Sequence, residues 1–201
     1  MKILFATHNK AKMKRYKGEL ERNGLEVLGL NDFSIETEIE ETGNTAQENA
    51  IQKAMGYYNF VKIPTIAVDD SLELIGVPDE IQPGTNVRRI NGKERATDDE
   101  MIQYYTSLVN KYGKNGLLNI RWKKCIAIVK NECDVNYYNF YSEKILTSKI
   151  HSKRNEGYPL ASISIVPEYN KYTVELTDEE NIKLEEKNNY LLLDFIRKNL
   201  C

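Results

Sequence analysis

Several common features are scarce in this 201-residue sequence, and each scarcity excludes a class of protein. Cysteine occurs three times, at Cys125, Cys133 and Cys201, and no two cysteines form a C-x-x-C pair. A disulfide framework and a structural zinc site are therefore not expected, and a reducing, cytoplasmic compartment is favoured. Because His8 and His151 are the only histidines, a divalent metal would have to be bound by carboxylates, which favours magnesium or manganese.

An excess of positive charge and long apolar runs are also missing. The 28 lysines and arginines stand against 30 aspartates and glutamates, so no basic surface is expected to hold duplex nucleic acid. No apolar run approaches the roughly 20 residues of a membrane helix, and the apolar residues 3–6 are too few for a signal peptide. With 41% hydrophobic and 29% charged residues the chain has a globular composition, and we predict a single domain over residues 1–201.

The order of helix and strand signals indicates a mixed α/β fold. Three capping boxes, T-x-x-E at residues 45–48, 97–100 and 177–180, each predict a helix start. Glycine is expected to end two of the helices, at Gly24 and Gly113. Helices are predicted over residues 10–23, 45–59, 97–112 and 177–199, and strands over 3–6, 25–30, 65–68, 121–130, 134–142 and 162–166.

Two acidic segments are the first candidates for chemistry. Residues 36–41 carry four glutamates, and composition alone favours a solvated charge run there. Asp69 and Asp70 directly follow a buried strand, which predicts a position at the carboxyl edge of the sheet, where α/β proteins bind ligands. Adjacent carboxylates repel each other unless a cation or a shared proton relieves the repulsion. A turn with an aspartate cap is an equally weighted alternative.

Residues 7–12 (THNKAK) lie between the first strand and the first helix. Free backbone N–H groups at a helix start favour anions, and Lys10 and Lys12 add positive charge. The segment lacks the glycine-bearing loop and the G-K-[ST] ending of a P-loop, so on its own it is a weak phosphate signal.

The order of these segments resembles the inosine/xanthosine triphosphate pyrophosphatase family along nearly the whole chain. The family's T-G-N-x-x-K is matched by residues 7–12, and its D-D-S-G by residues 69–72 (DDSL). Its E-E-T-G-x-T-x-x-E-N-A-x-x-K-A is matched without a gap by residues 40–54 (EETGNTAQENAIQKA). A later arginine and A-T-D correspond to Arg89 and residues 96–98.

The resemblance implies a hydrolase that converts a nucleoside triphosphate into the monophosphate and pyrophosphate. It implies an elongated mixed β-sheet flanked by helices, with an active-site cleft between two lobes, and a homodimer. Glu41 and Asp70 would be catalytic and would hold Mg²⁺ (Mn²⁺ being possible) together with Asp69, and Asp70 would also orient or deprotonate the attacking water. The substrate-binding residues implied by the resemblance are Thr7, Asn9, Lys12, Lys53, Ser71, Arg89, Tyr158 and Lys187.

The second half departs from the family pattern. The family's G-F-G-[YW]-D-P falls on residues 157–162 (GYPLAS), where Tyr158 can still stack on a base but Ala161 replaces the aspartate. A family lysine becomes Asn181, and the family's S-H-R falls on residues 185–187 (EEK). Since discrimination depends on such hydrogen-bonding partners, we hypothesise that base preference is relaxed or redirected.

The first half departs at His8 and Leu72, which replace glycines of the family. If either position needs a positive φ, the side chain costs on the order of 1 kcal/mol. We expect His8 to be a satisfied surface histidine, with direct contact to a phosphate or base as the alternative. Alternating aromatics at residues 137–141 are expected to belong to the core or a subunit interface rather than to a ligand platform.

Three functions are consistent with these observations, and one of them, hydrolysis of a modified pyrimidine nucleotide or another phosphoanhydride, shares the mechanism of the favoured one and differs only in the pocket. An active, metal-dependent pyrophosphohydrolase is favoured, because Glu41, Asp70, Lys12 and Lys53 are all retained. A nucleotide-binding or interaction protein that kept the fold and lost efficient catalysis is the alternative.

Overall fold

The computed structural model describes residues 1–200, and the side chains at positions 11, 15, 185–190 and 193 lie outside that description. The helices are α1 (Lys10–Arg22), α2 (Ala46–Val61), α3 (Asp98–Tyr112) and α4 (Asp178–Leu200). The strands are β1 (Lys2–Phe5), β2 (Glu26–Leu28), β3 (Thr65–Leu74), β4 (Leu117–Asn131), β5 (Asp134–Thr147), β6 (Ser164–Val166) and β7 (Lys171–Tyr172).

The strands form one seven-stranded mixed sheet in the order β2-β1-β3-β4-β5-β6-β7. The helix-linked strands pair in parallel, β1 with both β2 and β3, whereas β6 pairs antiparallel with both β5 and β7. The predicted α/β class, with a mixed sheet and flanking helices, is confirmed. Among the described helices, none is both long enough and apolar enough to cross a membrane.

The chain divides into two compact units, each built from separate chain segments. The first unit contains residues 1–70, residues 124–140 and the helical segment from Asn189 onward. The second contains residues 71–123 and 141–188. The prediction of a single domain over residues 1–201 remains a prediction.

Alternation along β1 shows how the core of the first unit is built. Ile3 and Phe5 pack in a cluster that also contains Ile196 of α4. Leu4, between them, packs in a second cluster, which includes Ala50 of α2. The strand is therefore buried on both faces, as its uninterrupted apolar run predicts.

The second unit has a core of its own. Leu72 and Leu74 at the end of β3 pack with Tyr105 and Val109 of α3 and with Leu146 of β5. The short end of β3 is thereby fixed against a helix that the sequence predicted from a capping box.

All three predicted capping boxes open helices. In the first, the Glu48 backbone N–H donates to Thr45 Oγ1 at 3.1 Å, while the Thr45 N–H donates to Glu48 Oε2 at 3.1 Å. The boxes at Thr97 and Thr177 make the same reciprocal pair of bonds.

The predicted end of the third strand is wrong. The sequence placed Asp69 and Asp70 after a strand ending at residue 68, but β3 continues through both to Leu74. Its register with β1 pairs Phe5 with Ile66, so the two aspartates lie beyond the end of β1, where residues 7–12 follow. Acidic residues have low strand propensity, and pairing with a distant strand overrides that propensity here.

The replacements of family glycines at His8 and Leu72 carry no backbone strain. The described non-glycine residues with positive φ are Ser34, Lys62, Asn91, Asn115 and Asn170. Neither replaced position is among them, so no left-handed conformation is imposed on a side chain at either place.

The aromatic segment of β5 is divided between core and surface. Tyr138 stacks on Phe140 and on Phe195, with ring centroids 6.3 and 5.7 Å apart. Tyr137 and Tyr141, on the alternate positions, are exposed. The core interpretation is therefore correct for Tyr138 and Phe140.

Candidate active site

The acidic segment before α2 ends in a turn that is bonded to that helix. The Thr42 backbone N–H donates to Gln52 Oε1 at 3.0 Å, and Gln52 Nε2 donates to Thr42 Oγ1 at 3.1 Å. The glutamates at positions 36, 38 and 40 are exposed, as a charge run would be, but Glu41 is half-buried. The prediction of a solvated charge run therefore holds for these three glutamates but not for Glu41.

Gly43 is required by the closeness of this turn to α2. Its backbone N–H donates to Asn49 Oδ1 at 2.8 Å. A Cβ at this position would lie 2.5 Å from the Cβ of Glu48, a distance that real Cβ atoms do not tolerate. A side chain here would displace the turn, and Glu41 with it.

Lys53 brings two carboxylates together. Its Nζ lies 2.9 Å from Glu41 Oε1 and 3.4 Å from Asp69 Oδ1, and the lysine side chain is only 15% exposed. Asn49, one turn earlier on the same face of α2, donates from Nδ2 to Asp69 Oδ2 at 3.4 Å. One helix face therefore positions both the lysine and the amide that hold Asp69.

Lys12 holds the second aspartate. Its Nζ lies 2.8 Å from Asp70 Oδ2 and donates to the Val68 carbonyl at 3.3 Å. Asn9 accepts from the Lys12 backbone N–H at 3.2 Å, as an N-cap residue does. The Asn9 N–H in turn donates to Thr7 Oγ1 at 3.1 Å. The predicted phosphate-binding segment and the predicted metal-binding carboxylates thus meet in the first unit.

The electrostatics of this cluster are strongly coupled. Burial raises the pKa of Asp69 to about 6, and Glu41 and Asp70 add to the increase against the opposing charges of Lys53 and Lys12. Burial alone would lower the pKa of Lys12, but Asp70 and Asp69 outweigh it and raise that pKa above its ordinary value. Three carboxylates against two ammonium groups leave a formal charge of −1 when all five are ionised, which attracts a further cation.

The donor set fits a hard divalent cation. No group of three His, Cys, Asp or Glu residues is close enough to hold a metal by itself within the described part of the chain. Mg²⁺ is usually held by one or two carboxylates together with water and substrate phosphates, so a complete protein cage is not required. Because Lys53 Nζ bridges Glu41 and Asp69, these two carboxylates can share one cation.

The other predicted residues lie in the second unit. Ser71 is buried, and its Oγ lies 3.5 Å from the Lys123 carbonyl oxygen. Arg89 is exposed, whereas its neighbour Arg88 is bound to Asp98 at 2.9 Å. Tyr158 is half-buried. The side chain of Lys187 is outside the described residues.

Two of the positions that depart from the family pattern, Ala161 and Asn181, are described by the structure. Ala161 is 7% exposed and apolar. Next to it, Ser162 Oγ donates to the Pro159 carbonyl at 2.9 Å. Asn181 Nδ2 donates to the Thr177 carbonyl at 3.1 Å, within the first turn of its own helix.

Asn49 and Gln52 lie within the long motif of residues 40–54, but the motif alone predicts no role for either. Their helical spacing carries a signal: Asn49 lies four residues before Lys53, which places the two side chains on one face. That Asp69 would meet this face could not be read locally, because twenty residues separate Asp69 from Asn49.

The first unit joins the carboxylates of Glu41, Asp69 and Asp70 to lysines on α1 and α2, an arrangement suited to binding a polyanion such as a phosphate chain through a cation. The particular family is shown by direct comparison. The model of the Ham1 family matches residues 3–189, and the chain belongs to that family.

Named relatives agree with this assignment, and a solved structure shares the fold. The chain is 30% identical over 207 residues to a dITP/XTP pyrophosphatase of Caldanaerobacter subterraneus, covering 100% of this chain and 98% of the relative. It is 27% identical over 184 residues to a dITP/XTP pyrophosphatase of Bacillus subtilis, with 92% and 90% covered. A HAM1 protein of Coxiella burnetii has the same fold, with a TM-score of 0.80, 23% identity and 98% of each chain covered.

Proposed function

We propose that this chain hydrolyses nucleoside triphosphates to the monophosphate and pyrophosphate, with Mg²⁺ at the carboxylates of the first unit. The chain is a nucleoside triphosphate pyrophosphatase, as its family and its curated relatives indicate. The proposal of a magnesium-dependent site rests on the ion pairs that join Glu41, Asp69 and Asp70 to Lys12 and Lys53.

The roles of these residues follow from their chemistry. Glu41 and Asp70 would hold the metal, with Asp69 as a further carboxylate. When bound, Mg²⁺ supplies charge neutralisation and makes water a better nucleophile. Asp70 orients the attacking water and accepts its proton.

The cations of the site stabilise the phosphate chain. Lys12 and Lys53 donate to phosphate oxygens and to the leaving pyrophosphate, where negative charge develops. Thr7, Asn9, Ser71 and Arg89 contribute further donors. No covalent nucleophile is needed.

We propose that the base is recognised less strictly than the names of the relatives suggest, with Tyr158 stacking on it and Lys187 contributing a cation. Ala161 offers no hydrogen bond where the family has an aspartate. Asn181 uses its amide within its own helix. Fewer directed hydrogen bonds reduce the energetic difference between bases.

The test is a substrate panel in magnesium buffer, with each common and deaminated nucleoside triphosphate and pyrophosphate release as the readout. Asp70→Asn removes the proposed metal-binding carboxylate and should lower turnover on the order of 10²–10³-fold. Asp134→Asn is the matched control, because Asp134 pairs with Lys130 at 2.7 Å at the start of β5.

The panel separates the remaining interpretations. Comparable rates with inosine, adenosine and cytidine triphosphates support the relaxed base pocket, and a strong preference for inosine or xanthosine triphosphate contradicts it. No release from any substrate by folded protein would favour the binding-protein alternative.

We also propose a homodimer in the cytoplasm. Exposed Tyr137 and Tyr141 on β5 are suited to a subunit contact, and Cys125 and Cys133 are free thiols, as in a reducing compartment. Light scattering should give twice the chain mass of 23.3 kDa, and a monomer at micromolar concentration would contradict the dimer.

A further inference from the structure

We infer that His8 is a positioning residue that ties the phosphate-binding segment, residues 7–12, to α2 and to the acidic segment. The inference rests on the proposed function for its effect on substrate. His8 Nε2 lies 3.0 Å from Tyr57 Oη. Tyr57 Oη donates to the Thr37 carbonyl at 3.0 Å, so one phenol joins the two site-bearing segments.

The hydrogens in this chain of bonds can be assigned. Tyr57 is 2% exposed, and burial raises the pKa of its phenol against the opposing effect of a backbone hydrogen bond from Ile39, with Glu38 and Glu41 adding to the increase. The phenol therefore stays protonated and gives its single hydrogen to Thr37. Its oxygen can then only accept from His8, so His8 carries a hydrogen on Nε2.

The His8–Tyr57 bond matters because Tyr57 lies between residues of the candidate site. Tyr57 lies one helical turn after Lys53 on α2, and its bonding partner Thr37 lies four residues before Glu41. His8 directly precedes Asn9, the residue that caps the helix bearing Lys12. The tie therefore connects the three segments that carry Lys12, Lys53 and Glu41.

The acidic segment is fixed on α2 at a second point. A Cβ on Gly56 would lie 2.8 Å from Ile39 Cδ1, so Ile39 packs directly on the helix backbone. The acidic segment packs on α2, and Tyr57 is part of α2. The His8 bond therefore connects the phosphate-binding segment to two elements that are already packed together.

The family glycine at this position has no side chain and could not make the bond. A loop that is held before the substrate arrives loses less conformational freedom on binding, so affinity rises without new contacts. His8 would then act on substrate binding through Asn9 and Thr7 and not by touching the reacting atoms.

The test uses His8→Gly and Tyr57→Phe, singly and together, with steady-state kinetics on the best nucleotide of the panel. Each single variant should raise KM about five- to tenfold and change kcat by less than about threefold. The double variant should be no worse than Tyr57→Phe alone, because Tyr57→Phe already removes the bond to His8 together with the bond to Thr37. His8→Gln, whose amide can donate to the phenol, should recover most of the lost affinity.

Tyr58→Phe is the matched control. Tyr58 is a buried tyrosine on the same helix whose ring lies 5.1 Å from Lys62 Nζ, and this variant should leave KM unchanged. If His8 contacted the phosphate directly, His8→Gly would raise KM and Tyr57→Phe would not, and that pattern would overturn the inference. Additive effects in the double variant would overturn it too.

Hydrogen exchange of the substrate-free protein provides a readout that does not need activity. Amides of residues 7–12 should exchange faster in both single variants than in the wild type and the Tyr58→Phe control. Unchanged exchange would refute the tie, and faster exchange with unchanged KM would refute its role in positioning. A wild type that turns over no nucleotide would instead refute the proposed function, while the exchange data would still decide whether His8 holds the segment.

Discussion

The two units use their charged side chains differently. In the first, Lys12 and Lys53 are mostly buried and each is bonded to carboxylates. In the second, Arg89 extends to solvent, and the position of the family aspartate holds buried Ala161. The comparison shows that the fold pairs the lysines of the first unit with carboxylates, whereas Arg89 of the second unit is exposed, and a ligand-binding role for Arg89 stays a prediction.

Lys53→Met should have the largest effect on activity and stability, because it leaves Glu41 and Asp69 without the ammonium group that they share. We expect turnover to fall on the order of 10²–10³-fold. We expect the free energy of unfolding to fall by ~1–3 kcal/mol, less than for a fully buried pair, since Glu41 is 32% exposed at its side chain.

The measurements are pyrophosphate release and urea denaturation in a metal-free buffer. Lys62→Met serves as the control, because Lys62 pairs with Glu132 on the surface with its side chain 53% exposed. Such pairs contribute ~0–1 kcal/mol. Equal losses of stability in the two variants would contradict a special role for the first-unit cluster.

A smaller effect is expected from the adjacent arginines of the second unit. Arg89→Ala should raise KM about tenfold, since the guanidinium is proposed to bind phosphate, and should change the free energy of unfolding by less than ~0.5 kcal/mol. Arg88→Ala should leave KM nearly unchanged and lower the free energy of unfolding, because Arg88 is bonded to Asp98 and, at 3.3 Å, to the Ala96 carbonyl. Kinetics and urea denaturation of the pair test this, and a stability loss confined to Arg89→Ala would refute it.

A further effect concerns the pH dependence of stability. The folded pKa of Asp69 is raised from 3.8 to about 6. The folded state therefore binds this proton more tightly than the unfolded state, so the free energy of unfolding falls as pH rises from about 4 to about 6 and levels off above. Asp69→Asn should flatten that part of the curve, measured by urea denaturation in metal-free buffer, and an unchanged slope would exclude the raised pKa.

Local features of this chain were predictable from sequence, and features set by distant partners were not. The capping box of Thr45 and Glu48 depends on residues three apart, so the start of α2 was predicted correctly. The continuation of β3 through Asp69 depends on a neighbouring strand, which no local pattern reveals.

The candidate site shows the same limit. The motif at residues 40–54 indicated Glu41 and Lys53 but could not show that Asn49 reaches Asp69. The role of Tyr57 was equally hidden, because its partners His8 and Thr37 lie 49 and 20 residues away. The sequence thus predicted candidate reacting groups, and the residues that hold them in place became visible only in the structure.

The assembly of the first unit from three separated segments has a consequence for protein synthesis. Its core joins Ile3 of the first strand to Ile196 of the last helix, so β1 cannot complete its packing until almost the entire chain has been synthesised. At translation rates of about 5–20 residues per second, the apolar strand remains without its final cover for roughly ten seconds or more. We expect nascent chains stalled before α4 to depend on chaperones, whereas in full-length released chains α4 covers β1 and completes the core.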